Sequence, residues 1–290
     1  MRSGGQAAWG RAGQMTELRD IHDLAGCRGV VAVQIAVWGR DAETVPASVL
    51  SVSVKRGGIL IGAYDGETVV GFVWSFPGRR DGQWTHWSHM LGVLPEARGR
   101  GLGRDLKLAQ RTRAIDQGID LIEWTFDPLQ AQNAHLNFVG LGCIATTYVV
   151  DAYGPMSGPL HRGTPTDRLI AEWWIARPHV ERRLNQRSAL VARSADVREA
   201  PALIDTQQGG QWLECGDVRT SLTAPRVLLP VPPAFGEMQQ QDIDAAMRWR
   251  LGVREAFSWA FARGYRAVDF YLNREQGGGA YLLALDQDRS

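Results

Sequence analysis

His89–Lys107 reads HMLGVLPEARGRGLGRDLK, and it sets Gly99, Gly101 and Gly103 among Arg98, Arg100 and Arg104, between a proline and a helix-forming run. An apolar strand leads in. Beyond the glycines, Leu102, Leu106 and Ala109 recur at helical spacing, and Gly118 is placed to close the helix in a left-handed cap. The first N–H groups of such a helix have no partner within it, and its dipole favours negative charge there. Glycines let phosphate oxygens approach the backbone, and the arginines add charge-assisted hydrogen bonds. The stretch is therefore read as a phosphate cradle. It is not a Walker loop, because no Lys-Ser or Lys-Thr follows the glycines, and the GxGxxG spacing fails from both Gly99 and Gly101. What fits is Arg-x-x-Gly-x-Gly at Arg98, Gly101 and Gly103.

Outward from this stretch, 290 residues with 44% hydrophobic and 22% charged side chains describe a globular chain of one large domain or two smaller ones. No apolar run approaches the ~18 residues of a membrane span. A net charge of +1 argues against nucleic-acid binding through a strongly basic surface. Three cysteines, far apart, make neither a disulfide framework nor a CxxC zinc site, which fits a reducing cytoplasm. Residues 1–14 read as a disordered leader.

The remaining elements alternate. A short strand precedes an apolar helix over Asp20–Trp38, and VPASVLSVSV forms a second helix with Pro46 in its first turn. Two β-rich runs meet at Asp65-Gly66, a hairpin signal, and a third, WTHWSHMLGVL, enters the glycine stretch. IDLIEWTFD is a buried strand broken at Asp127-Pro128; QAQNAHLNFVGLG is a short helix ending near Gly140 to Gly142; CIATTYVVDAYG and RLIAEWWI are strands. Between these last two, Gly154 to Asp167 is a Gly/Pro-rich loop, read either as a lid or as an ordinary connection. Beyond Pro178 come a charged helix HVERRLNQR, a strand RVLLPVP, a helix over Asp242–Arg263, and strands RAVDFYLN and AYLLAL around a Gly277 to Gly279 turn. Ile243, Ala246, Val253, Phe257, Ala260 and Phe261 form the apolar stripe of that long helix, and Gly264 ends it. LAQRTRAIDQGIDLIEWTF and REAFSWAFARGYRAVDFYL share a helix, a terminating glycine and a strand with an acidic-aromatic pair, Glu123-Trp124 against Asp269-Phe270. This echo is either a degenerate repeat or two unrelated helix-to-strand units.

Together with LKLAQR, WTFDPL and NAHLN, the glycine stretch resembles the GNAT superfamily of acetyl-CoA-dependent N-acyltransferases, in a branch of acetyltransferases with a C-terminal extension. The similarity runs from about Thr16 to about Tyr153. It implies an α+β fold with a central mixed, mostly antiparallel sheet flanked by helices, over residues 15–176, and a smaller αβ extension over 177–290. It also implies acetyl-CoA as co-substrate, a small-molecule amine as acceptor, no metal, and no nucleic-acid or membrane partner; the extension would complete the acceptor site, form a homodimer surface or cover the sheet. Backbone groups of Leu91 and Val93 would pair with the pantetheine arm. Arg98, Gly99, Arg100, Gly101, Leu102, Gly103 and Arg104 would hold the pyrophosphate. Asn133 would set its amide against the coenzyme, or else cap its helix.

Acyl transfer to an amine needs a base, a polarised thioester carbonyl and a proton for the departing thiolate. His89, four residues before Val93, occupies the position where arylalkylamine N-acetyltransferases carry a histidine implicated as base, and imidazole suits that task near neutral pH. His86 and Ser88 face the other side of the strand. A backbone N–H between Leu91 and Val93 would serve the carbonyl, with Gly92 marking a kink or bulge. The resemblance puts a tyrosine four residues before Gly142; here that residue is Phe138, which has no proton to give. Tyr148, His135, water or unassisted departure are the substitutes, and a non-catalytic acyl-CoA-binding module is the alternative function. Cys143 reads as a core thiol, and Trp74, Trp84, Trp87, Trp173 and Trp174 either fill cores or line an aromatic acceptor pocket.

Overall fold

A computed structural model describes residues 16–40, 43–154, 163–185, 200–273 and 278–285. The leader, most of the loop after Gly154, the end of HVERRLNQR and Gly277 lie outside the described residues. The chain forms two units, Met1–Ser75 with Met90–Gln110, and Phe76–His89 with Arg111–Ser290.

In the first unit, β1 (Glu17–Asp20) pairs antiparallel with β2 (Ile59–Asp65), and β2 with the first part of β3 (Thr68–Arg80). Gly66, with φ +61°, makes the expected Asp-Gly turn between β2 and β3. Helix α1 spans Leu24–Trp38 and starts four residues later than the pattern suggests. Asp20 is still in β1, opposite Ile61, and it is Asp23 whose carboxylate accepts the Gly26 N–H at 2.7 Å and caps the helix. Pro46 stands just before α2 (Ala47–Val54). Buried Gln34 donates to the Val45 carbonyl and accepts the Val45 N–H, so both ends of its amide are satisfied where α1 meets the approach to α2.

In the second unit, Asp81 and Gly82, with φ of +51° and +82°, turn β3 into β4 (Gln83–Val93); two left-handed residues suit a tight hairpin. β4 lies parallel to β5 (Leu121–Phe126) at His86↔Ile122 and Trp87↔Glu123. The crossover is α3 (Leu102–Asp116), closed by Gly118 at φ +72°. The other side of β5 pairs antiparallel with β7 (Arg168–Trp174), and β7 with β6 (Ile144–Val149). Beyond β6 the sheet continues antiparallel through β11 (Tyr265–Leu272), β12 (Gly279–Leu285) and β10 (Arg226–Val231). An α+β architecture with a mixed sheet and a C-terminal αβ addition is thus what the sequence forms. A separate hairpin of β8 (Ile204–Gly209) and β9 (Trp212–Val218) was not legible, because its residues alternate between polar types and leave little apolar pattern.

The remaining helices are α4 (Ala131–Ala134), which runs on as a π-helical segment His135–Leu141, then α5 (Pro178–Asn185), α6 (Phe235–Gln241) and α7 (Ile243–Ala262). Helix α7 buries Ala246, Trp249, Val253, Phe257 and Ala260, while Ile243, expected in that stripe, is exposed at the first turn beside the Asp242 cap. Two arginines of α7 reach carboxylates at the ends of strands. Arg250, 1% exposed, holds Asp127 through two bonds of 2.8 and 2.9 Å, and Arg254 holds the fully buried Asp167 through two of 2.8 Å. Burial pushes the Asp127 carboxyl up, but the Arg250 guanidinium outweighs it and holds the group below its ordinary value.

Removing one partner of such a buried pair strands the other charge. Arg250→Ala is expected to cost about 3–5 kcal/mol in urea unfolding. Arg19→Ala, which breaks exposed pairs with Glu17 and Glu67 and a contact with the Tyr64 ring, is expected to cost about 1 kcal/mol or less.

Candidate active site

The glycine stretch folds as its composition demands. A single 3₁₀ turn, Pro95–Ala97, follows β4; Gly99 and Gly101 then take φ of +77° and +84°, where only glycine is unstrained, and α3 begins at Leu102. Leu102 and Ala97 anchor the loop in the core at 7% and 6% exposure, while Arg98, Gly99, Arg100 and Gly101 face outward. A Cβ at Gly99 would meet nothing within 4 Å, so backbone conformation and not crowding requires glycine there. The Gly101 carbonyl accepts from the N–H groups of Arg104 and Asp105, which places the N–H groups of Leu102 and Gly103 ahead of the helical ladder. Arg98 folds back, its Nε donating to the Val93 carbonyl at 3.0 Å, and ties the loop to the end of β4.

Gly92 has a different reason from the expected kink. β4 runs as one strand from Gln83 to Val93, and a Cβ at Gly92 would lie 3.0 Å from the Phe72 ring and 3.2 Å from Trp38. Glycine is there because those two rings, packed edge to face, occupy the space.

His89 is exposed and stacks obliquely on Phe76, with centroids 5.8 Å apart. Desolvation by the surrounding protein holds its pKa below the ordinary imidazole value, so the ring is neutral at physiological pH. His86 is buried on the opposite face with Nε2 2.8 Å from Gln117 Oε1, and burial lowers its pKa as well. The strand alternation separates the two histidines as expected.

On the face of β5 that carries Glu123, Arg80 Nη1 joins two buried carboxylates, Glu123 at 2.8 Å and Glu172 at 3.0 Å, and Thr146 Oγ1 donates to Glu172 at 2.5 Å. Burial raises the Glu123 pKa and Arg80 only partly offsets it. This cluster was missed as such; the only signal was an acidic residue inside an apolar strand.

The other candidates have structural duties. Phe138 is fully buried, edge to face with Phe126 at 6.2 Å and with Tyr281 at 5.5 Å. Tyr148 donates to Asp167 at 2.7 Å and stacks on Phe257; burial and Asp167 raise its pKa. His135 opens the π-helical segment. Asn133 sits exposed within α4, and the residue preceding that helix is Gln130, so Asn133 is not its cap. Cys143 is buried. Trp74 is buried in the first unit with Nε1 on Ser53 Oγ; in the second unit Trp173 is buried with Nε1 on the Leu141 carbonyl and Trp84 is 63% exposed at the β3–β4 turn.

Residues 33–138 match the family model described as Acetyltransferase (GNAT) family. That span of the chain is similar to a GNAT acetyltransferase domain. The matched span contains the glycine loop, all of β4 and β5, and ends at Phe138. No curated protein matches the chain. Among solved structures it is similar to a GNAT superfamily phosphinothricin acetyltransferase from Sinorhizobium meliloti in complex with AcCoA, at 19% identity over 55% of this chain and 88% of that one, TM-score 0.45. It is also similar to the ribosomal-protein-S18-alanine N-acetyltransferase from Escherichia coli, at 13% identity over 56% and 96%, TM-score 0.45. A ribosomal-protein-alanine N-acetyltransferase from Brucella melitensis matches at 19% identity over 54% and 98%, TM-score 0.44. No helix among the described residues is long and apolar enough to cross a membrane.

The glycine loop yields a direct test of its backbone. Gly99→Val forces a β-branched residue to positive φ and is expected to cost about 1–2 kcal/mol, whereas Gly99→Asn is tolerated. Thermal unfolding of the two variants separates these outcomes; equal melting temperatures would contradict the left-handed conformation.

Proposed function

We propose that this chain is an acetyl-CoA-dependent N-acyltransferase that passes the acetyl group directly to an amine of a small molecule. The observation that carries the reading is the pair of left-handed glycines, Gly99 and Gly101, at the mouth of a 15-residue helix within the matched family span. Backbone N–H groups from Gly99 to Gly103 hold the pyrophosphate, with the Arg100 and Arg104 side chains adding charge. Arg98 has a second task, since its bond to Val93 fixes the loop against the strand. Leu91 and Val93 offer backbone groups to the pantetheine arm, and the exposed amide of Asn133 contacts the coenzyme.

His89 stands two residues before Leu91 on the same strand, about 6–7 Å along it. Its neutral imidazole takes a proton from the attacking ammonium or amine, and a backbone N–H between Leu91 and Val93 steadies the developing oxyanion. Residues 15–176 act as the acetyltransferase domain and 177–290 as its extension, in a cytoplasmic protein that works without a metal; a dimer surface on the extension belongs to the same reading.

Calorimetry with acetyl-CoA, together with thiol release across a panel of amines, tests this. Gly101→Glu is expected to abolish measurable coenzyme binding and Arg100→Ala to weaken it several-fold. His89→Ala lowers kcat by roughly 10²-fold or more. Because the His89 pKa is depressed, activity persists as pH falls to the ordinary imidazole value of about 6.5 and is lost only below it; that acid limb disappears in His89→Ala. Unchanged binding by Gly101→Glu removes the coenzyme reading. Tight binding without turnover on any amine supports the acyl-CoA-binding module instead.

A further inference from the structure

Where β5 ends and β7 begins, in the second unit, three guanidinium groups meet two carboxylates. Arg250 holds Asp127 and Arg254 holds Asp167, each through both carboxylate oxygens. Arg168 is the third, and among the described residues it has no carboxylate partner. Its Nη1 donates to the Asp167 backbone carbonyl at 2.9 Å, and its guanidinium carbon lies 5.3 Å from the centroid of the Tyr153 ring. Burial lowers the Arg168 pKa, and the carboxylates nearby do not make up the difference. Most of the N–H fork of this guanidinium is therefore left for another acceptor.

Strand register places the groups around that fork. Arg168 pairs with Val149 of β6, and two residues further along β7, Ile170 pairs with Thr125 of β5. Paired residues share a face and every second residue returns to it, so Arg168, Val149, Ile170 and Thr125 project from one side of the sheet. All four are half-buried, whereas Leu169, Ala171 and Phe126 on the opposite side are core. Tyr153, half exposed just after β6, sets its hydroxyl 2.7 Å from Thr125 Oγ1. Two hydroxyls sharing one hydrogen bond keep one hydrogen for a further oxygen. The turn that carries Tyr153 is fixed: its N–H donates to Thr166 Oγ1 at 3.0 Å, Thr166 donates to the Asp151 carboxylate, and the Asp151 N–H donates to Asp167 at 2.9 Å. The cluster is thus held in place before any ligand arrives.

We infer that Arg168, Tyr153 and Thr125 form a binding site for the carboxylate of a small ligand whose apolar body lies along Ile170 and Val149. The planar guanidinium presents N–H groups at the spacing of two carboxylate oxygens, and the hydroxyl pair supplies a further donor. A monoanion suits the site better than a phosphate dianion. The three guanidinium groups exceed the two aspartates by a single charge, so one negative charge balances the cluster and a second would be repelled by Asp127 and Asp167. Every group of the site belongs to the second unit, and the inference stands apart from the acyltransferase reading above.

Valerate, its neutral amide valeramide and inorganic phosphate are titrated into the full chain by calorimetry, with no coenzyme present. Valerate is expected to bind, and valeramide, nearly identical in shape, to bind roughly tenfold more weakly or not at all. Arg168→Lys keeps the charge but not the fork and is expected to weaken valerate by roughly tenfold. Tyr153→Phe removes one half-exposed oxygen and weakens it several-fold, with the melting temperature of wild type; this second variant decides the matter should Arg168→Lys disturb the fold. Absence of valerate binding to the wild-type chain overturns the assignment, as do equal affinities for valerate and valeramide or wild-type affinity in both variants. Phosphate binding more tightly than valerate also overturns it, since the site would then select a dianion. None of these results bears on acetyl-CoA binding, which is measured in its own titration.

Discussion

A helix that starts at the surface must satisfy its first backbone N–H groups with something other than itself, and the way this chain begins α3 governs the rest of its chemistry. Gly99 and Gly101 adopt a conformation unfavourable to any other residue, and the anchors on either side, Ala97 and Leu102, are buried while the turn between them is not. The turn is thus fixed by its flanks and open at its centre. On the function proposed for it, such a turn offers an anion N–H donors without side chains in the way. That requirement also explains why the loop follows β4 directly. Arg98 bonds to the last residue of the strand, so the cradle and the strand edge move as one piece.

The C-terminal extension changes what the adjoining residues are free to do. Tyr281 on β12 packs edge to face on Phe138 and also contacts Phe257 and Phe270. A phenol at position 138 would bring a hydroxyl into this apolar cluster, where an unpaired polar group costs several kcal/mol at the upper end. Phenylalanine is what the packing favours. The extension is held by Arg250 and Arg254 to Asp127 and Asp167, at the ends of the strands that carry Glu123 and Thr125 and Glu172. Such pairs give little net stability over an apolar core, but they fix register because each guanidinium fork accepts one carboxylate geometry.

Much of this was legible because local physics wrote it plainly. Asp65-Gly66, Gly118 and Gly264 all mark turns or helix ends in the structure, since positive φ is a property of the residue itself. The misreadings arose where a neighbour distant in sequence decides. Gly92 looked like a kink because nothing in its surroundings along the chain reveals Trp38 and Phe72. Asp20 and Asp23 are equally good helix caps in sequence, and only the pairing of Asp20 with Ile61 in β1 and β2 selects the second. Glu123, Glu172 and Arg80 lie on three strands, so their meeting depends on strand order, which single-chain periodicity does not encode.

The echo between the two halves contrasts two ways of starting a helix. Both α3 and α7 end at a left-handed glycine, Gly118 and Gly264, and both lead into a strand with a buried carboxylate that needs a guanidinium, Arg80 for Glu123 and Arg183 for Asp269. Their beginnings differ. Helix α7 starts behind Asp242, whose own carboxylate accepts the Ala245 N–H at 2.9 Å, so a negative group is already built into the site. Helix α3 starts behind Gly101, which brings no side chain. Strand order reinforces the difference: β4 and β5 are direct neighbours joined by few pairs, whereas β12 lies between β10 and β11 and pairs with both along most of their length. A strand edge is offered in the first half and consumed in the second.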